Sequence, residues 1–462
     1  MESPAPSAPL APPAPIAAAD REAPRLDAVD VVRGVALLGI FVMNVRDFGL
    51  PLAWFDRPGL AGGYGVGNVA AWGVGTLLFQ DKMIALLSLL FGAGLVLQAR
   101  AAQVAGRASV APWLRRCAWL LLIGVAHALL AWFGDILNTY ALCGLLLWPL
   151  ARLPVRWLVA IGTLLYLVPL WFMHGPLVVA ALRESFGAGA GDESSAALLR
   201  SARALLAGTS PALHATPPPD VAEALRIWAH GSWLDAAKEN LRLFVPWHLE
   251  GGWRISFWRS GGLMAIGMAL AKAGVLEAKA GAAALRRLMA WGYGLGMPLT
   301  IGVTATLLCA DLLRGAAWEP AATSDARSSI GAALLVRRGA MHVGAALVAL
   351  GHLGLLLTLA ERWRNAPATR ALSRVGRLAL SCYLAQTVLA TLLFYGYGAG
   401  RFGQWSYVQL WGAIGAVWVL ELAACTWWAR RFAIGPCEWA WRSLAAWRRL
   451  PWRAEARGSP RR

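Results

Sequence analysis

Apolar runs of roughly 17–25 residues recur along most of the chain, with short polar segments between them. Each run can cross a ~30 Å hydrocarbon layer as a helix. Backbone groups in lipid pair only within the protein, so these runs read as helices. A closed barrel would need short alternating strands, and the sequence offers none. The pattern predicts helices at 29–48, 72–99, 113–134, 136–151, 154–174, 255–273, 288–310, 339–360, 375–397 and 406–428. The expected fold class is all-α: a polytopic membrane helix bundle with about ten transmembrane helices. The fourth run is short. The second is over-long, and its first part is expected along the interface.

Breaks in this pattern divide the chain. Residues 1–24 are almost all Ala, Pro and Ser and are expected to form a disordered tail. Residues 25–174 form an N-terminal transmembrane half. Residues 175–253 form an extracytoplasmic loop that holds Pro217, Pro218 and Pro219 and an amphipathic stretch near 220–243. Residues 254–445 form a C-terminal transmembrane half, and 446–462 a basic cytoplasmic tail.

Composition and charge sharpen this picture. Only 15% of the residues are charged and 58% are hydrophobic, too few charges to coat a soluble protein of 462 residues. The net charge of +18 could suggest nucleic acid, but the basic residues sit at helix ends. Arg100, Arg107, Arg115 and Arg116 lie between the second and third helices. Arg362, Arg364, Arg370, Arg374 and Arg377 lie between the eighth and ninth. The alternate segments are balanced or acidic. The positive-inside rule then places both termini in the cytoplasm, with the lipid bilayer as partner and no nucleic acid. The cysteines are scattered without metal or redox spacing and read as small buried residues.

Polar residues inside the apolar runs are the candidates for chemistry. Asp30 and Arg33 sit at the start of the first helix, three apart and able to pair. Asn44 lies eleven residues after Arg33, on nearly the same face and about 16 Å away. These residues either line a cavity or serve as an anchor and a helix–helix contact. His127 falls deep in the third helix and Asp135 at its outward end. An unbroken helix would keep them about 12 Å apart, in separate roles along one path. His titrates near neutral pH and suits proton or acyl chemistry. The structural alternative is a His bonded across helices with Asp135 capping the fourth helix. Asp81 and Lys82 open an apolar run and are read first as an anchor, or else as a pair with each other or a cavity lining. Ser88, Gly92 and Gly94 read as a packing surface. Tyr383, Gln386 and Thr387 share one face of the ninth helix, for interhelical hydrogen bonds or a cavity lining. His248 and Glu250 are too few for a metal site, and no metal is expected. His342 and His352 read as structural.

Several blocks give the chain a resemblance. They are LDAVDVVRGVALLGIFVMN at 26–44, FQDKMIALLSLLFGAGL at 79–95 and GVAHALLAWFGDILNTYALCGLLL at 124–147. GLMAIGMALAKAGVL at 262–276, VGRLALSCYLAQTVLATLLFYGYG at 375–398 and GPCEWAWRSL at 435–444 complete the set. The chain resembles, from about residue 25 to 445, the YeiB-like family of bacterial inner-membrane proteins, domain of unknown function 418. The family is similar, at a distance, to transmembrane acyltransferases such as the sugar O-acetylating bacterial enzymes. That resemblance implies an acyl group moved from cytoplasmic acyl-CoA, a co-substrate and not a permanently bound cofactor, to a small or glycan acceptor outside. The O-acetylating enzymes carry an Arg and a His in the first helix. Arg33 matches the Arg, but Asn44 stands at the His position, and an amide is no base near pH 7.

Two classes of function therefore stay open. An acyltransferase-like enzyme would use His127 and Asp135 as catalytic residues and Arg33 for the coenzyme A phosphates. Asp30, Asn44, Lys82, Tyr383 and Gln386 would line the cavity. The alternative is a small-solute transporter or exporter, or a degenerate binding protein. A transporter would show broken helices near the midplane and an internal repeat, and no clear repeat is visible.

Overall fold

A computed structural model describes residues 27–104, 106, 110–185, 219–250, 252–277, 281–314 and 324–452. The tail 1–24, residues 186–218 of the long loop with Pro217 and Pro218, and the last part of the basic tail lie outside the described residues. All regular structure among the described residues is helical. In chain order the helices are α1 (Asp27–Gly49), α2 (Val66–Val74), α3 (Lys82–Val104), α4 (Ala111–Leu130), α5 (Leu137–Leu146) and α6 (Val155–Ser185). There follow α7 (Pro219–His230), α8 (Trp233–Phe244), α9 (Gly252–Lys272), α10 (Gly281–Arg314) and α11 (Ser324–Arg362). The last are α12 (Pro367–Arg377), α13 (Ala379–Phe394), α14 (Tyr407–Trp428) and α15 (Pro436–Ala446).

Each of the ten expected helices has a counterpart, but fewer qualify as simple spans. Seven helical segments are long and apolar enough to cross a membrane, and eight if α12 and α13 count as one bent span. Two reasons reduce the number. Helix α5 has ten residues, about 15 Å, half the hydrocarbon thickness. Helix α9 carries Arg254, Arg259 and Lys272.

Three apolar runs are broken where a continuous helix was expected. The second run splits into α2, a π-turn at Gly75–Phe79, and α3, with Asp81 in the left-handed region at φ 62°. The ninth bends by 85° between α12 and α13, so the basic α12 departs from the span. The third ends at Leu130, where Ala131 N and Trp132 N both bond to His127 O.

Helix α9 packs between α3 and α6 through glycines. A Cβ on Gly92 would lie 2.0 Å from Met264 O, and one on Gly267 2.0 Å from Leu89 O. Gly162 and Gly262 meet in the same way between α6 and α9. Gly92 therefore belongs to the expected packing surface, and Gly94 does not, because it faces open space. The same device joins α1 to α12, where a Cβ on Gly376 would lie 1.9 Å from Asp30 O. Four cysteines are buried as expected, but Cys309 is exposed. Cys382 and Cys425, reduced, bring their sulfurs to 3.3 Å between α13 and α14.

Candidate functional site

The break between α4 and α5 builds the site. Beyond Leu130 the chain turns back on itself, and Asp135 returns to the last turn of α4. His127 Nδ1 lies 2.9 Å from Asp135 Oδ1. The two residues form a direct pair, and the expected 12 Å separation is corrected: helical rise no longer applies past residue 130. Asp135 Oδ2 accepts from Asn138 N at 2.9 Å, so the same carboxylate also caps α5. Both residues are buried, with side-chain exposures of 6% and 0%.

Helix α13 closes the site from the other half of the chain. Thr387 Oγ1 stands 3.1 Å from His127 Nε2. Tyr383 donates its hydroxyl to Asp135 Oδ1 at 3.3 Å and lies with its ring 5.4 Å from the imidazole. A carboxylate accepts only, so the proton sits on His127 Nδ1. Nε2 is then left to accept from a hydroxyl. Hydroxyl, imidazole and carboxylate stand in a row, the order that activates a hydroxyl in acyl-transfer chemistry. Asn138 Nδ2 is buried beside them without a partner.

The long loop covers this site. Phe133 N donates to Asn240 Oδ1 on α8 at 3.0 Å, and His248 Nε2 donates to Phe133 O at 2.7 Å. Trp233 Nε1 donates to Leu130 O at 3.0 Å. The amphipathic stretch expected at the membrane surface is thus α7 and α8, clamped onto the turn that carries Asp135. Burial lowers the His248 pKa below the usual histidine value, although the bond to Phe133 and the charge of Asp135 oppose this.

One step deeper, Gln386 donates to Glu421 Oε2 on α14 at 2.9 Å and reaches Leu37 O on α1 at 3.4 Å. Glu421 is a functional candidate that the sequence reading missed, although one acidic residue amid an apolar 22-residue helix was signal enough. Thr387 was read only as a face residue, and its bond to His127 comes from packing.

The remaining candidates lie apart from this row. Arg33 Nη1 pairs with Asp30 at 2.7 Å and approaches Gly376 O at 3.4 Å, and its side chain stays 33% exposed. Asn44 is buried in α1. Asp81 does not pair with Lys82; it takes Arg259 of α9 at 2.7 Å. Lys82 is wholly buried and donates to Thr76 O at 2.8 Å. The left-handed turn at Asp81 points the two neighbours to different partners. His342 donates to Tyr166 O at 2.8 Å and stacks on that ring; His352 bonds Tyr293 at 2.8 Å and Leu78 O at 3.0 Å. Both bond across helices.

A family described as protein of unknown function (DUF418) matches residues 270–448. The uncharacterised protein YeiB of Escherichia coli (strain K12) is 32% identical over 420 residues, covering 90% of this chain and 95% of YeiB. The uncharacterised protein YxaH of Bacillus subtilis (strain 168) is 25% identical over 439 residues, 91% of this chain and 94% of YxaH. No solved structure matches. With a relative this similar along nearly its whole length, and the family match across its C-terminal half, the chain belongs to the YeiB-like DUF418 family.

Proposed function

We propose that the protein is a membrane-embedded acyltransferase that moves an acyl group from cytoplasmic acyl-CoA to a hydroxyl-bearing acceptor on the other side. The observation that carries this reading is the row Thr387–His127–Asp135. An acceptor hydroxyl that takes the place of Thr387 Oγ1 gives its proton to His127 Nε2, while Asp135 holds the imidazole by Nδ1. The acceptor oxygen attacks the thioester carbonyl, and the C–S bond breaks. The leaving thiolate takes the proton from the imidazolium, so the products are an ester and free coenzyme A. Asn138 Nδ2 is an available donor for the oxyanion. Arg33, whose Nη1 lies 3.4 Å from Gly376 O of the basic α12, offers a guanidinium fork for the phosphates. Leu37, which contacts Gln386, lies four residues beyond Arg33, about 6 Å along α1. Arg33 and His127 are thereby linked through the consecutive residues Gln386 and Thr387.

The broken helix at Asp81 favours a second reading, small-solute transport, and turnover separates the two. The test uses purified protein in detergent, labelled acetyl-CoA and a panel of sugar acceptors. Parent protein should form labelled ester, and His127→Gln and Asp135→Asn, checked to be folded by thermal unfolding in detergent, should lose transfer by at least about a hundredfold. Stable variants with full transfer would remove the site from the reaction.

A further inference from the structure

Glu421 is a buried acid that the acyl-transfer reading does not use. Ile414, Trp418, Glu421 and Cys425 recur at helical spacing and turn one face of α14 inward. Glu421 is 4% exposed and lies about 10 Å inside the C-terminal end of α14 at Trp428. Its Oε2 accepts from Gln386 Nε2 of α13 at 2.9 Å, and the same amide reaches Leu37 O of α1 at 3.4 Å. Trp418 Nε1 donates to Leu38 O at 2.9 Å and holds α14 against α1. One turn away on each helix, the thiols of Cys382 and Cys425 meet at 3.3 Å. The other polar groups of α13 are engaged elsewhere: Tyr383 bonds Asp135, and Thr387 bonds His127. Among the described residues, no Arg, Lys or His bonds to Glu421.

The pair leaves two oxygens over. Glu421 Oε1 and Gln386 Oε1 are both buried and without a partner. Both only accept. Turning the Gln386 amide around gives no relief, because its oxygen would then meet Glu421 Oε2 and Leu37 O. The pair lacks a donor. A proton on the Glu421 carboxyl supplies one, and it also removes a charge that a single amide cannot compensate in hydrocarbon. A water would supply donors but leave the charge in place. A metal cation would need more ligands than these two oxygens, and among the described residues no three His, Cys, Asp or Glu side chains are grouped to hold one.

We propose that Glu421 is a proton-binding site inside the helix bundle, a carboxylic acid that donates its O–H to the Gln386 amide oxygen while accepting the amide N–H in return. The inference does not depend on acyl transfer. Release of the proton would leave a bare carboxylate on one N–H and open half of the contact between α13 and α14, so the bound proton holds this hairpin closed on α1. Infrared spectroscopy of the purified full-length protein in detergent at pH 7 tests it, as the difference between parent and Glu421→Gln. The parent should show a carboxylic-acid C=O band that the variant lacks, with the carboxylate bands unchanged. Gln386→Leu, which removes the amide and keeps the acid, should move that band to higher frequency. Glu421→Gln places an amide N–H where the acid O–H stands, so it should melt within about 2 °C of the parent. Should Glu421→Gln fail to fold, the shift in Gln386→Leu decides the matter. A carboxylate band lost in Glu421→Gln in place of an acid band, or an acid band that Gln386→Leu leaves unmoved, would overturn the proposal.

Discussion

Helix α13 presents Tyr383, Gln386 and Thr387, yet it has no capping side chain of its own at Leu378. The cap comes from Glu438 of α15, fifty-eight residues beyond the first amide that it holds. Its Oε1 accepts from Leu380 N at 2.6 Å and Ser381 N at 3.0 Å, and its Oε2 accepts from Ser381 Oγ at 2.5 Å. Glu438 is 4% exposed, so water cannot replace it. Glu438→Ala strands two amides and a hydroxyl at the positive end of a helix. Bonds to a charged acceptor contribute about 1.5–3 kcal/mol each, and three that act as a unit fall short of their sum, so the loss is about 3–5 kcal/mol. Glu438→Gln keeps one acceptor oxygen and should cost roughly 1–2 kcal/mol. At about 2 °C per kcal/mol for a chain of this size, Glu438→Ala should melt about 6–10 °C below the parent. Thermal unfolding in detergent, followed by tryptophan fluorescence, measures this. Glu223→Ala is the control: Glu223 pairs with Arg226 on an exposed face, and its loss should scarcely register. If Glu438→Ala melts no lower than Glu223→Ala, the capping argument fails.

Three further outcomes are expected. His248 is held neutral on Phe133 O with a lowered pKa. The stability it contributes is present above its unfolded value near 6.5 and is lost as pH falls below that value toward the folded pKa. Amide exchange in Trp233–Glu250, corrected for intrinsic rates, should therefore rise between pH 7 and about pH 5 in the parent and not in His248→Gln. Gly376→Ala places a methyl against Asp30 O and should destabilise by about 1–3 kcal/mol, whereas Gly94→Ala, in open space, should be neutral; equal melting temperatures would contradict the packing. In intact cells without Cys309, a cysteine at Lys238 should react with an impermeant reagent and one in the 100–112 segment should not; the reverse pattern would invert the topology.

The helices were legible because hydrocarbon leaves the backbone no other choice along apolar runs. The breaks were not, because each is compensated from a distant part of the chain. Glu438 caps α13, Arg259 meets Asp81, and Asn240 with His248 hold Phe133. Local periodicity contains none of these partners. The candidate site divides in the same way. His127 and Asp135 stood out as ionisable groups within an apolar stretch, but their contact depends on a turn at Ala131–Ile136 that helix geometry alone could not supply. Tyr383, Gln386 and Thr387 were correctly placed on one face. That the face splits, Thr387 toward His127 and Gln386 toward Glu421, is decided by which helices lie on either side.

The Gln386–Glu421 pair also bears on how the protein is made. A lone Glu near the middle of a nascent apolar helix raises the cost of leaving the insertion channel by about 2–3 kcal/mol. Its amide partner is synthesised thirty-five residues earlier. The economical route releases α13 and α14 into lipid together, as a hairpin already bonded side chain to side chain. Only then can Gln386 reach Leu37 O, 349 positions back, so α1 waits in the bilayer for almost the whole of translation before its neighbours arrive. Biogenesis of this protein is thus a late closure, in which the last spans seal the first.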